Sequence, residues 1–285
     1  MYRRLRGRPS AAGTGLPRSR AGEARYSVMP DPPLERHAAS FGRVADAYDR
    51  GRPPYPPEAL AWLATELAVT PAATVLDLAA GTGKLTAGLV PIAGHVIAVE
   101  PVAEMRRVLQ GGCPGVEVLA GRAEQIPLPD GSVDAVFVAA AFHWFDPDEA
   151  LAEIRRVLRP GGGLGLLWNR QEWEGEPWYP EFAAVLERAR EEQNAPNRYI
   201  AGEWRAALER STGYGPVRKR EFRHVHRVTR EGFLARVASW SVFAVLPDEE
   251  REELLASVTR MLDAHGIDDL DLAYRTDTYR ARTRP

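Results

Sequence analysis

The 285-residue chain contains a single cysteine, Cys113. It therefore forms no internal disulfide and no thiolate metal cluster, which points to a reducing compartment. It lacks any apolar run near the roughly 20 residues of a membrane helix, and no signal-peptide core follows its basic start. The expectation is a cytoplasmic protein with no membrane partner. Net charge is also nearly absent, at −2. Without a global basic surface to neutralise phosphates, nucleic acid is not an expected partner, and a small ligand fits better. A hydrophobic content of 45% suffices for one sizeable core with an elaboration.

The first 28 residues hold seven arginines, one acid and many Gly, Pro and Ser. Such a segment buries too little apolar area to order itself, so residues 1–35 are read as a disordered basic leader. It resembles either an organelle transit peptide or upstream coding sequence before a second start at Met29, and the latter is preferred. The remainder, 36–285, reads as one domain: a binding core over 36–170, a helical elaboration over 171–265 and a terminal strand over 266–285.

After the leader, Phe41, Val44, Ala45 and Tyr48 fall at helical spacing. Four prolines in "GRPPYPPEAL" then precede a helix containing Leu60, Trp62, Leu63 and Leu67. From there short β-branched runs alternate with helical segments: "TVLDL", "HVIAV", "VEVLAG", "VDAVFVA" and "GLGLLWN" are the strands. Continuous apolar strands separated by helices predict an α/β fold with a doubly wound, mostly parallel sheet. Beyond Asn169 come Trp- and Arg-rich helices, the strand "VRKREFRHVHRV", two more helices and a last strand, "DLDLAYRTDTYRA". The second of those helices opens at Pro247 with three acids and stops at Gly266.

Such sheets bind ligands beyond the carboxyl ends of their strands, where "LDLAAGTGKLT" lies. A triphosphate loop is disfavoured because Leu85 replaces the metal-binding hydroxyl and Leu78 the first glycine. A dinucleotide turn needs a third glycine, and Thr86 stands there. What strengthens the turn is an acid at each of two strand ends, Asp77 and, 23 positions on, Glu100. A carboxylate at the second suits a ribose diol, since it accepts from both hydroxyls.

The motifs "VLDLAAGTG", "VIAVEP", "GRAEQIPLPDGSVDAVFVAAAFHWFD" and "IRRVLRPGGGLGLLW" occur in order. Together they resemble the class I S-adenosylmethionine-dependent methyltransferases, over roughly Phe41 to Asn169. "YDRGRPPYP" with "HWFD" is most similar to the small-molecule branch that includes trans-aconitate methyltransferase. The resemblance implies a Rossmann-like seven-stranded sheet with an antiparallel last strand and a helical cap, S-adenosyl-L-methionine as cofactor, and a small-molecule methyl acceptor. It places Asp77 near the methionine amino group, the backbone of Ala79, Gly81 and Gly83 close to the ligand, and Glu100 on the ribose. Met105 either lies against the adenine or fills the core, Ala123 and Glu124 meet the adenine edge, and Ala139 leaves room for the cofactor. Ala79 departs from the family's usual glycine, and its methyl restricts the backbone's approach.

His143 is the candidate base or acceptor-positioning group, against the reading of a packed ring. Trp144 belongs either to the acceptor wall or to the core. Tyr48, Arg52 and Tyr55 look like an N-terminal lid, with Arg52 able to pair a carboxylate of ligand or substrate. Trp173, Trp178, Trp204 and Trp240 are expected around the acceptor. His224 and His226 share a strand face, but with no third ligand visible no metal is expected. Two rivals remain, a dinucleotide-dependent oxidoreductase and a non-catalytic cofactor-binding protein.

Overall fold

The computed structural model describes Asp49, residues 51–191 and residues 203–284. The basic leader and most of the first amphipathic segment, including Tyr48, lie outside the described residues.

β1 (Thr74–Leu78), β2 (His95–Val99), β3 (Glu117–Leu119), β4 (Val133–Ala139), β5 (Leu158–Gln171), β6 (Arg218–Thr229) and β7 (Asp269–Arg282) form one sheet in the order β3-β2-β1-β4-β5-β7-β6. The pairs β1–β2, β1–β4, β2–β3 and β4–β5 are parallel. β7 runs antiparallel to both β5 and β6. The expected architecture is present, with the reversed last strand inserted between two others.

Alternation along the central strands explains why the sheet is covered on both sides. Leu76, Leu78, Val136 and Val138 belong to one core, which also takes in residues of α4 (Pro147–Val157) and α6 (Glu203–Arg210). Val75, Ala135 and Phe137 belong to the opposite core, with α1 (Pro57–Glu66) and α2 (Lys84–Leu89). α3 (Ala103–Gly112) follows β2. The start of α4 is fixed by the Asp146 carboxylate, which accepts from the Asp148 and Glu149 N–H groups at 3.1 Å each, with Pro147 at the first helical position.

The later helices are α5 (Tyr179–Glu191), α7 (Arg230–Ala238), the short α8 (Ser241–Ala244) and α9 (Asp248–Ala264). With β7 they enclose a third core that includes Trp173, Trp178, Phe182, Phe233, Val237 and Tyr274. α9 begins after Pro247 and ends before Gly266, whose φ of +63° suits glycine at a helix end. Of the tryptophans singled out from sequence, Trp204 lies in the first core, 4.6 Å from Trp168 between ring centroids, because α6 packs on the sheet, and Trp173 and Trp178 lie in the third.

The basic strand β6 is balanced locally. Arg218 pairs with Glu66 at 3.3 Å, Arg223 with Glu172 at 2.9 Å and Arg227 with Asp269 at 3.1 Å. His224 stacks on Tyr274 with ring centroids 5.6 Å apart. Among the described residues no helix is long and apolar enough to cross a membrane.

Candidate functional site

β1 and β4 are adjacent in the sheet, yet the chain leaves them toward opposite edges, to β2 and to β5. This is the switch point at which open α/β sheets hold ligands. Each strand is followed by an alanine of left-handed backbone, Ala79 at φ +57° and Ala140 at φ +53°. The two sharp turns diverge and leave a hollow with about 560 Å³ of empty space, its solvent-filled mouth included.

The floor of the hollow is the turn after β1. The Ala80 N–H donates to Val99 O at 3.1 Å, and the Gly83 N–H donates to Ala80 O at 3.0 Å, closing the turn against β2. Glu100 holds it from the side: its carboxylate accepts from the Gly81 N–H and the Val102 N–H, each at 2.9 Å. Burial raises the Glu100 pKa against the pull of these two bonds. Asp77 is 1% exposed and accepts from the Thr86 hydroxyl at 2.6 Å. Burial lifts its pKa to about 7, opposed by the Thr86 bond and helped by the nearby Glu100 charge. Its Oδ1, like the Thr82 hydroxyl, is buried with no hydrogen-bond partner among the described residues. Such atoms are costly unless something polar meets them.

Of the residues singled out from sequence, Asp77, Ala79, Gly81, Ala139, Arg52 and Tyr55 line the hollow. Glu100 stands one hydrogen bond behind it, through Gly81. Gly83 does not line it: a Cβ there would meet Leu109 Cγ at 2.9 Å, so this glycine, at φ +91°, serves the packing of the turn on α3. Met105 and Ala123 are 3% and 4% exposed and do not line the hollow either. The Glu124 carboxylate accepts from the Asp146 N–H at 3.1 Å, tying the loop after β3 to the start of α4.

His143 and Trp144 lie in the turn after β4, with ring centroids 5.0 Å apart. His143 Nδ1 accepts from the Trp168 indole N–H at 3.2 Å, which places the proton of a neutral ring on Nε2. Burial, and to a lesser extent Arg52, push the His143 pKa down to about 4. Such a ring is a weak base at neutral pH.

Sequence reasoning missed Thr82, Lys84, Asn169 and Arg236, which also line the hollow. Lys84 pairs with Asp49 at 2.9 Å, fastening the N-terminal segment over the turn. Asn169 donates to Pro54 O at 3.2 Å and accepts from the Thr276 hydroxyl at 2.6 Å, fastening the same segment to the sheet. Arg236 had a legible signal: it sits on the apolar side of α7, three residues after Phe233 and next to Val237, where a charge is out of place.

A methyl on an α-carbon in left-handed backbone costs about 1–2 kcal/mol, part of which glycine returns as extra freedom of the unfolded chain. Ala79→Gly is therefore expected to raise stability by roughly 0.5–1 kcal/mol. Urea unfolding measures it, and a loss of stability would show that the Ala79 turn is not strained.

A mostly parallel sheet opened at its switch point, with paired acids behind a short turn, defines an α/β protein with a candidate ligand site at that point. Its relatives give the particular kind. A family model of the methyltransferase domain matches residues 76–166. An uncharacterised methyltransferase of Mycobacterium tuberculosis is 39% identical over 252 residues, covering 85% of this chain and 95% of that one. Malonyl-[acyl-carrier protein] O-methyltransferase of Methylococcus capsulatus is 36% identical over 137 residues, covering 43% of this chain and 50% of its own. A solved structure from Anaeromyxobacter dehalogenans, provisionally assigned as a type II methyltransferase, aligns with TM-score 0.56 and 28% identity over 81% of this chain and 97% of that one. The chain belongs to the methyltransferase family, and the protein is a methyltransferase.

Proposed function

We propose that the enzyme transfers a methyl group from S-adenosylmethionine to a small-molecule acceptor, at a carboxylate or a hydroxyl. The observation that carries this reading is the pair of buried polar atoms, Asp77 Oδ1 and the Thr82 hydroxyl, left without partners among the described residues beside the turn from Ala79 to Gly81. They fit a ligand that brings an ammonium group and further polar atoms to this turn. When bound, the cofactor supplies a methyl group on a positively charged sulfur.

Asp77 takes the amino group and Arg52 the carboxylate of the methionine portion. Glu100, whose two oxygens each retain accepting capacity after one backbone bond, takes the ribose hydroxyls. Met105, Ala123 and Glu124 stand behind the adenine side, and Ala139 keeps the β4 end of the hollow open. Tyr55 covers the site. His143 and Trp144 position the acceptor. A ring that titrates near 4 and already accepts from Trp168 is better suited to donating a hydrogen bond than to removing a proton. The chain's work is alignment and exclusion of water, which suffices for displacement at a methyl carbon.

Thr86 disfavours the oxidoreductase reading: it stands where the third glycine would, and its hydroxyl is committed to Asp77. Calorimetry with S-adenosylmethionine and with NAD is the test. The expected result is saturable binding of the first only; binding of NAD without a response to the sulfonium would reject the proposal.

A further inference from the structure

Thr86 lies in the first turn of α2, is 0% exposed, and donates its hydroxyl proton to Asp77 Oδ2 at 2.6 Å. That length suits a hydroxyl bound to an ionised oxygen. Both ends of the bond are fixed by the fold. Asp77 sits in β1 between Ala98 of β2 and Phe137 of β4, and Thr86 O accepts from the Val90 N–H at 3.1 Å. The bond therefore ties the strand before the turn to the helix after it.

One carboxyl oxygen is thus committed to the protein. The other, Oδ1, is buried with no partner among the described residues, and Asp77 lines the hollow. The last torsion of an aspartate is soft, so without the Thr86 bond neither oxygen would be assigned to the hollow. Ionisation is at stake as well. Burial is the main reason the Asp77 pKa lies at about 7, and the Thr86 hydroxyl is the largest influence against it, with the Thr86 N–H acting in the same sense. The other charged or titratable groups around the carboxyl are Glu100 after β2, which raises its pKa, and Cys113 after α3. Lys84 from α2, Arg52 from the N-terminal segment and Arg236 from α7 complete the charged lining among the described residues.

We propose that Thr86 is the positioning residue of the donor site: it holds one Asp77 oxygen away from the hollow and leaves the other, ionised, for the ammonium group of the donor. This rests on the donor reading above. Thr86 acts through Asp77 and does not itself line the hollow. The consequence is selectivity by charge. An ammonium offsets the burial of an ionised acid, and a neutral ligand does not. Adenosine thioethers that carry an amino-acid side chain are therefore preferred over those that lack one, and Thr86 sets the size of that preference.

Thr86→Val keeps the shape of the side chain and deletes the hydroxyl. The full chain, parent and variant, is titrated calorimetrically from about pH 6 to about pH 8 with S-adenosylhomocysteine, which has the amino group, and with 5′-methylthioadenosine, which lacks it. The quantity compared is the ratio of parent to variant affinity at each pH, in which the ligand's own ionisation cancels. For S-adenosylhomocysteine the variant should bind about tenfold more weakly at about pH 6, the effect of raising the acid's pKa by about one. That deficit should shrink to roughly two- to threefold at about pH 8, where the acid ionises without help. For 5′-methylthioadenosine the ratio should stay near one throughout. Thr86→Ser returns the hydroxyl and should recover most of the loss. Thr86→Ala also deletes it, and carries the test if the valine variant does not fold.

A deficit for S-adenosylhomocysteine that is the same at every pH would make Thr86 a packing residue and overturn the assignment. So would an equal loss of 5′-methylthioadenosine, or a variant without the hydroxyl that matches the parent. Each of these outcomes leaves the donor reading intact. A parent that does not bind S-adenosylhomocysteine at all strikes the donor reading instead.

Discussion

Asp77→Asn is expected to be more stable than the parent at pH 8 and a much poorer binder of the methyl donor. The carboxyl titrates near 7 in the folded protein, against an ordinary value of 3.8. Between those pH values the folded state holds a proton that the unfolded state has released, so stability falls as pH rises from about 4 to about 7 and is level above. At about 1.4 kcal/mol per unit, this group costs on the order of 4 kcal/mol at pH 8. Asparagine removes that slope and can still accept from Thr86. An ammonium brought to Asp77 reverses the preference, because it favours the ionised acid. Donor affinity in the parent should rise by up to tenfold per pH unit toward 7 and then flatten, whereas the variant should lose roughly 100-fold at pH 8 and show no such slope. Urea unfolding and calorimetry at about pH 5.5, 7 and 8.5 measure both. An unchanged pH slope in the variant would assign the effect elsewhere.

Glu100→Ala should be damaging for two separate reasons. It removes the acceptor of the Gly81 and Val102 N–H groups, and each unsatisfied donor costs about 1–3 kcal/mol where water does not reach it. It also removes the group proposed for the ribose, so donor affinity should fall at least about 100-fold. Glu100→Gln separates shape from charge. An amide has one oxygen, so it satisfies one backbone donor and turns its own NH₂ toward the other. The glutamine variant is therefore expected to bind donor nearly as poorly as the alanine variant while unfolding at a similarly reduced urea concentration. A glutamine variant with parental stability and affinity would show that the two bonds to Glu100 do not hold the turn.

The site was partly legible in the chain because its strongest signals are local. A strand that carries Asp77, a turn with Gly81 and a second strand that leads into Glu100 are consequences of short-range spacing, and in the structure the two acids do adjoin one turn. Gly83 shows the limit of such reading. It belongs to the same turn, but which of two glycines faces the ligand and which faces Leu109 depends on where α3 packs, and α3 lies many residues away. His143 shows another. Its place after β4 is readable, whereas the hydrogen bond from Trp168 that sets its tautomer joins residues 25 positions apart.

By itself, the sequence determined the alternating strands and helices, the parallel core, the helix ends at Asp146 and Gly266, and the acids at the tips of β1 and β2. These follow from periodicity and from backbone chemistry that acts within a few residues. Only the tertiary structure decided that Arg236, from a helix far along the chain from Asp77, shares a hollow with it, that Trp204 faces the sheet core, and that Asn169 fastens the N-terminal segment. Such meetings are set by how layers pack, and packing depends on the summed shape of distant segments rather than on any pattern along the chain.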